Sequence, residues 1–392
     1  MNKSKIITGI DIGTSKISVI VCRLKSFDDI EVLGMGTSVL KGVQKGVIRD
    51  ESLLVNALQN CLKRAQAASD QIIEDVFVNL PNGNSRFTIQ TGIIQSSSTG
   101  QLLSKDDREL AMKKSVHCVD KKNQSVLHLL PITQRIDGQN MDIFKPKAFN
   151  QMEVDTGIIL CDSVNLKIVY SNLKKLGFTV KGVISDYLSI GAILIPQTSN
   201  GSHLLIDIGA QLTTFCVYSM GQLKFAHSIQ IGSEQITHDL SVCLKCSLSE
   251  AERIKILYGN LEKFQNELSK HVSIQCHNGQ QNVKMSLITS IIESRINQLF
   301  QLIQKYLIHA PSYDDIFLIG SGSNLKGLPS WIESKISKPL NSQLDRKYKN
   351  IKINSNYMIS MGQIIYGHQI GLLKPKPNSI IKKISTKFLN IN

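Results

Sequence analysis

At 392 residues the chain is longer than one compact core accommodates, so its length predicts two or three domains. A hydrophobic fraction of 42% against 19% charged residues excludes an intrinsically disordered chain, and no stretch reaches the roughly 18 uninterrupted apolar residues of a membrane-spanning helix. The formal net charge of +14 points to nucleic acid or an acidic membrane surface, but no Arg-rich tract is interleaved with aromatics, so nucleic acid is set aside.

The start, Met1-Asn2-Lys3-Ser4-Lys5, is basic but runs directly into a strand pattern, which predicts no signal peptide and a cytoplasmic protein. Ile6 to Ile10 read as a strand, Asp11-Ile12-Gly13-Thr14-Ser15-Lys16 as a tight polar turn, and Ile17 to Val21 as a second strand. A turn at Phe27-Asp28-Asp29 opens a third strand through Gly34. Gly13 lets the backbone come close to a phosphate, and backbone N–H groups with the Thr14 and Ser15 hydroxyls can donate to its oxygens. Lys16 is placed to add charge. Asp11, at the strand end, is placed to hold waters around a Mg2+ that bridges phosphates. One such turn is common and usually structural.

Between Asn82 and about Gln151 the pattern changes: a strand at Arg86-Phe87-Thr88-Ile89, an acidic-to-basic helix over 105–117, then strands near 126–130 and 133–136. Residues 157–183 read strand, helix, strand. The grammar of the first loop then returns. Leu204-Leu205-Ile206-Asp207-Ile208-Gly209 leads through Ala210, Gln211 and Leu212 into Thr213-Thr214-Phe215-Cys216-Val217-Tyr218. A carboxylate again ends the strand and glycine again follows two residues later, so Gly209 and Ala210 face phosphate and Asp207 the metal, through water. Two similar halves facing a shared phosphate resemble the actin, sugar-kinase and DnaK-type chaperone superfamily, which implies an ATP site with Mg2+. Near the end, Asp315 to Ile319 form a buried-strand pattern running into Gly320-Ser321-Gly322, with a helix expected at 329–332. In this superfamily such a turn packs against adenosine; standing alone it is a routine strand-to-helix turn.

The eight cysteines are scattered through apolar patterns, which is no disulfide framework and fits a reducing compartment. Cys243-x-x-Cys246 with Cys276-His277 lacks the second spaced pair of a zinc site, so core or helix cysteines are expected. After Leu373, Lys374-Pro375-Lys376-Pro377 reads as a stiff, solvated linker. A helix follows, with Asn378 or Ser379 as its cap. Ile380, Ile381, Ile384, Phe388 and Ile391 share one narrow stripe, and Lys382, Lys383 and Lys387 lie outside it, the layout of an interfacial membrane helix on anionic lipid. A terminal helix docked on its own domain is the alternative.

Three segments narrow the resemblance to the FtsA family. Leu40-Lys41-Gly42-Val43-Gln44-Lys45-Gly46-Val47-Ile48-Arg49-Asp50 resembles its strand–turn–helix hallmark. Gly232-Ser233-Glu234-Gln235-Ile236-Thr237-His238-Asp239-Leu240 is similar to its Thr-x-Asp helix, and Ala251-Glu252-Arg253-Ile254-Lys255 to its Ala-Glu-x-Ile-Lys segment. Glu252 and Lys255, three apart, share a helix face; the resemblance implies that they reach toward ribose and adenine, against an ordinary surface ion pair. It covers nearly the whole chain and implies an α/β, actin-like two-lobed fold of ribonuclease-H-like duplicated units. In that division 1–81 and 157–200 form the first lobe core, 82–156 an inserted FtsA-type subdomain, and 201–231 and 306–373 the second lobe core. Residues 232–305 form a subdomain contacting nucleotide and FtsZ, 374–379 a linker, and 380–392 the C-terminal amphipathic helix.

The function so implied is a cell division protein on the cytoplasmic face of the bacterial inner membrane at the septum. It would polymerise with itself, tether FtsZ filaments and recruit later divisome membrane proteins. The second loop departs from the family's Asp-Ile-Gly-Gly-Gly-Thr-x-Asp: two glycines are replaced by Ala210 and Gln211, and Thr214 stands where a carboxylate is usual. Bulk at Gln211 and Leu212 is expected to hinder approach to the terminal phosphate, predicting ATP binding with weak or no hydrolysis rather than an enzyme. Two alternatives are a pilus-assembly adaptor of the PilM type and a sugar-kinase-like enzyme. The latter needs a general-base carboxylate, and none is expected near either loop.

Overall fold

The computed structural model describes residues 5–26, 29–81, 83–98, 102–141, 147–196, 198–262, 269–341 and 355–373; the linker and amphipathic helix expected at 374–392 lie outside them. The chain opens with β-branched runs, which favour extended backbone. β1 (Lys5–Ile12), β2 (Lys16–Ser26) and β3 (Asp29–Val39) form an antiparallel meander. A small hairpin, β4 (Val43–Gln44) and β5 (Val47–Ile48), then turns the chain into α1 (Glu51–Ser69). Asp50 caps that helix by accepting from the Leu53 N–H at 3.0 Å. Leu54, Leu58, Cys61, Leu62 and Ala65 recur at helical spacing and are buried. β6 (Asp75–Val78) then pairs parallel with β1.

A separate four-stranded sheet follows, in the order β7-β10-β8-β9: β7 (Arg86–Gln95), β8 (Gln124–Ile136), β9 (Gln139–Met141) and β10 (Gln151–Asp162), with α2 (Lys105–Ser115) packed on it. The two strands expected near 126–130 and 133–136 are one strand. Its register against β10 shifts between Asp155↔Thr133 and Thr156↔Pro131, so Pro131 sits at a bulge, where its missing N–H is tolerated. α3 (Ser163–Lys175) leads into β11 (Thr179–Val183), which returns to the first sheet in the order β11-β6-β1-β2-β3. α4 (Asp186–Leu194) follows directly.

The second half repeats the opening. β12 (Ser202–Ile208), β13 (Thr213–Ser219) and β14 (Gln222–Ile229) form a second antiparallel meander. α5 (Ser233–Leu244), α6 (Leu248–Tyr258), the hairpin β15 (His271–Cys276) and β16 (Gly279–Lys284), and the long α7 (Met285–Leu307) come next. β17 (Asp315–Ile319) then pairs parallel with β12, as β6 does with β1. α8 (Leu328–Ile336) and α9 (Met358–Gln369) complete the described chain.

α4 and α9 join the halves. Tyr187, Ile190, Met361 and Ile364 share one buried cluster with Ile7 and Ile20 of the first sheet and Leu205 and Cys216 of the second. Each large apolar side chain buried there contributes about 1.5–3 kcal/mol. Gln363, fully buried, accepts from the Ile10 N–H at 3.0 Å and donates to the Ile10 carbonyl at 2.9 Å, which fixes α9 beside the end of β1. Cys246 and Cys276 are buried opposite one another and Cys243 is exposed on α5.

Candidate functional site

The two repeated turns close with the same hydrogen bond. Gly13 N–H donates to the Lys16 carbonyl at 3.0 Å, and Gly209 N–H to the Leu212 carbonyl at 2.9 Å. Both open onto one cleft enclosing about 710 Å³, open solvent included, lined by Asp11, Gly13, Thr14, Ser15 and Lys16 from the first half and Asp207, Gly209, Ala210, Leu212 and Thr214 from the second. Gly320 and Ser321 also line it, whereas Gly322 does not. Gly320 sits at φ 88°, and a Cβ there would come within 2.2 Å of the Asp207 Oδ1, so only glycine lets β17 end beside that carboxylate.

The cleft lining also includes residues that the sequence analysis does not name, among them Asn79 after β6 and Asp186 at the start of α4. Asn79 is nearly inaccessible. Its Oδ1 accepts from the Ile12 N–H at 2.6 Å, and its Nδ2 donates to Asp11 at 2.8 Å and to Asp186 at 2.7 Å. The expectation that no further carboxylate stands near either loop is therefore corrected. Asp186, three residues after β11, enters because β11 pairs with β6 and brings the start of α4 to the same sheet end.

Among the described residues lining the cleft, three carboxylates share the space with one cation, Lys16, whose Nζ donates to the Asn356 Oδ1 ahead of α9. Burial by surrounding protein pushes Asp11 up from 3.8 to about 6, opposed by Lys16 and by the Asn79 amide. Asp207 is pushed up to about 7, by burial first and then by Asp11, with Lys16 opposing. Asp186 is raised well above its ordinary value, by burial first and then by Asp11, with Asn79 opposing. Burial draws Lys16 down, while Asp11 and Asp207 hold it up. The cleft thus gathers three carboxyl groups, too enclosed to be hydrated freely, around one ammonium group. A divalent cation reached through water, with an anion on Lys16 and the Thr14–Ser15 turn, would supply the charge that the ionised carboxylates need and a partner for Lys16. Among the described residues no group of three or more His, Cys, Asp or Glu side chains is placed to hold a metal ion directly.

Glu252 and Lys255 are not among the residues lining this cleft. Lys255 Nζ lies 2.7 Å from the Glu252 carboxylate, and it donates to the Thr237 hydroxyl at 2.8 Å and the Ser233 carbonyl at 3.2 Å, tying α6 to α5.

Residues 204–362 match the family model described as Cell division protein FtsA. Similar curated proteins include Cell division protein FtsA of Buchnera aphidicola subsp. Acyrthosiphon pisum, 29% identical over 362 residues that cover 86% of this chain and 85% of that protein. Cell division protein FtsA of Borreliella burgdorferi is 24% identical, covering 97% of this chain and 94% of its own. Among solved structures, the PilM-PilN type IV pilus biogenesis complex is similar with a TM-score of 0.66 at 14% identity, over 92% of this chain and 98% of that chain. MreB5 of Spiroplasma citri bound to ADP is similar with a TM-score of 0.58 at 13% identity, over 93% and 97%. At such identities the structural likeness concerns the fold, which is actin-like.

Proposed function

We propose that this chain is a cell division protein of the FtsA family, a nucleotide-responsive scaffold that tethers FtsZ filaments to the cytoplasmic face of the inner membrane at the division septum. The observation that carries the nucleotide part is the meeting of two equivalent loops at one cleft, with Asp11 and Asp207 sharing Lys16 as their counter-charge. Bound there, Mg2+-ATP would supply the cation the carboxylates lack and the triphosphate that Lys16 attracts. Gly13, Thr14 and Ser15 face that anion, and Gly320 and Ser321 border the opposite side. Glu252 and Lys255 stand in reserve for the adenosine end, where binding would have to part Lys255 from Glu252.

The same geometry argues against rapid hydrolysis. Thr214 lines the cleft at the second loop and, unlike a carboxylate, cannot take a proton from an attacking water. Nucleotide then acts by favouring one arrangement of the halves over another, rather than by turnover.

The partner assignments extend the family reading. On the segment 232–305, Val242, Ile256 and Leu257 are exposed apolar residues, which suits contact with FtsZ. Residues 82–156 are assigned to later divisome membrane proteins, and 380–391, outside the described residues, to anionic lipid. A short helix of that kind binds weakly by itself, so polymerisation of the scaffold is needed to make attachment firm. Co-sedimentation with FtsZ on anionic liposomes in Mg2+-ATP tests the whole reading. The full chain is expected to carry FtsZ into the pellet, and a chain lacking 377–392 is not.

The likeness to the PilM-PilN complex favours a second reading, a pilus-assembly adaptor. Failure of the full chain to retain an FtsZ C-terminal peptide, together with liposome pelleting that survives the deletion, would turn the assignment to it.

A further inference from the structure

The second loop differs from the first at the two positions that follow its small residues, where Ser15 and Lys16 are matched by Gln211 and Leu212 within an identically bonded turn. Bulk there reads from sequence as an obstruction to phosphate, but the structure turns Gln211 to another use. Its Oε1 accepts from the backbone N–H of Lys45 in the first half at 2.6 Å, and its Nε2 donates to the Glu234 carboxylate of the second half at 2.8 Å. Each end of the amide meets a partner of the matching kind.

Both ends of this bridge are anchored. Lys45-Gly46 forms the two-residue tip of the β4–β5 hairpin, with φ 48° and φ 74°, the left-handed pair a tight hairpin demands. In that turn the Lys45 N–H stands outside the hairpin's own ladder and is available to another segment. Buried Asn165 of α3 holds the tip from behind, donating to the Gly46 carbonyl at 2.8 Å and accepting from the Ile48 N–H at 3.1 Å. On the other side Glu234 lies in the first turn of α5, whose Ser233 and Glu234 N–H groups donate to the carbonyls of Gly209 and Ala210. Beside the bridge, a Cβ at Gly46 would lie 3.0 Å from Leu212, and Gln230 donates to the Gly83 carbonyl at 3.4 Å. These exposed contacts cross between the halves beside the cleft, which Leu212 lines, and apart from the core shared by α4 and α9.

We infer that Gln211 is a positioning residue that bolts the two halves together across the cleft. Opening of the cleft requires the Lys45–Gln211 bond to break, and the passage of nucleotide follows that opening. The second clause rests on the nucleotide reading above; the first does not.

Backbone amide hydrogen exchange at Lys45 in the ligand-free full chain reads the bolt directly, and release of N-methylanthraniloyl-ATP with Mg2+ reads the gate. One net hydrogen bond corresponds to about a two- to tenfold change in either rate. Gln211→Ala is expected to accelerate both by that factor. Gln211→Glu still accepts from Lys45 but faces the Glu234 carboxylate, so it is also expected to open; adding Glu234→Gln restores a donor and is expected to return Lys45 exchange toward wild type. A merely structural loss would not be rescued by that exchange of roles. Lys45 exchange unchanged in Gln211→Ala, or unrestored in the double variant, overturns the bolt. Faster exchange with unaltered nucleotide release overturns the gate. If the wild-type chain does not bind the labelled nucleotide, the functional reading falls, and Lys45 exchange still decides the bolt.

Discussion

Asp11 and Asp186 are held by a single amide: the Nδ2 of Asn79 donates to both, at 2.8 and 2.7 Å. Two carboxylates from separate strand ends thereby share one neutral donor, and the third polar contact of that side chain, from Ile12, locks its orientation. Asn79→Ala would leave the Ile12 N–H and both acids without a buried partner. Leaving buried polar groups unmatched costs about 1–3 kcal/mol. We expect a loss of about 2 kcal/mol in urea unfolding at neutral pH, and a higher Asp11 pKa because a contact that favours its charged form is gone.

The raised acids give the ligand-free protein a distinctive pH dependence. Asp11 near 6 and Asp207 near 7 bind protons more tightly folded than unfolded, where the ordinary value is 3.8. Their contribution to stability is therefore fully present below about pH 4 and is lost as pH rises through 6 and 7. The cleft is partly open to solvent, which limits the total to on the order of 2 kcal/mol. Asp207→Asn should flatten this slope, and Mg2+-ATP should reverse it, stabilising more at pH 8 than at pH 5, as urea unfolding across that range would read.

Asp155 behaves oppositely. Arg135 grips it with two hydrogen bonds at 2.7 and 2.9 Å, and the Thr91 and Thr133 hydroxyls add two more, so its pKa is held well below the usual carboxylate range, by Arg135 first. A depressed folded pKa means stability that is present above about pH 4 and lost on acidification. Asp155→Asn is expected to cost about 1–2 kcal/mol at neutral pH. The difference from wild type should shrink in urea titrations as pH falls.

The parts of the site that could be read in the sequence are those built by contiguous residues. The turn at Gly13 and its copy at Gly209 each satisfy their own backbone within four residues, so strand, carboxylate and glycine appear in order along the chain. Asn79 and Asp186 gave no such signal. Each is an ordinary polar residue after a strand, and only the parallel pairing of β6 with β1 and of β11 with β6 brings them to Asp11. Gln211 was legible as a departure, but its bulk suggested obstruction, because its partner Lys45 is set by a hairpin in the other half. The strands expected near 126–130 and 133–136 are one for a related reason: the bulge that accommodates Pro131 exists only in the pairing with β10.

Lys16 is the basic side chain among the residues lining the cleft, and it faces two demands that a variant can separate. In the ligand-free protein it lowers the pKa of both Asp11 and Asp207, so Lys16→Ala should raise both and steepen the loss of stability with rising pH. A divalent cation can stand in for that charge, and adding Mg2+ alone should recover most of the stability. Recognition of a triphosphate is different, because a charge-assisted hydrogen bond to phosphate contributes about 1.5–3 kcal/mol and depends on where its donor sits. Lys16→Ala should therefore weaken ATP binding by about ten- to a hundredfold in calorimetry even at saturating Mg2+. Recovery of affinity by Mg2+ alone would mean that Lys16 serves the carboxylates and not the phosphate.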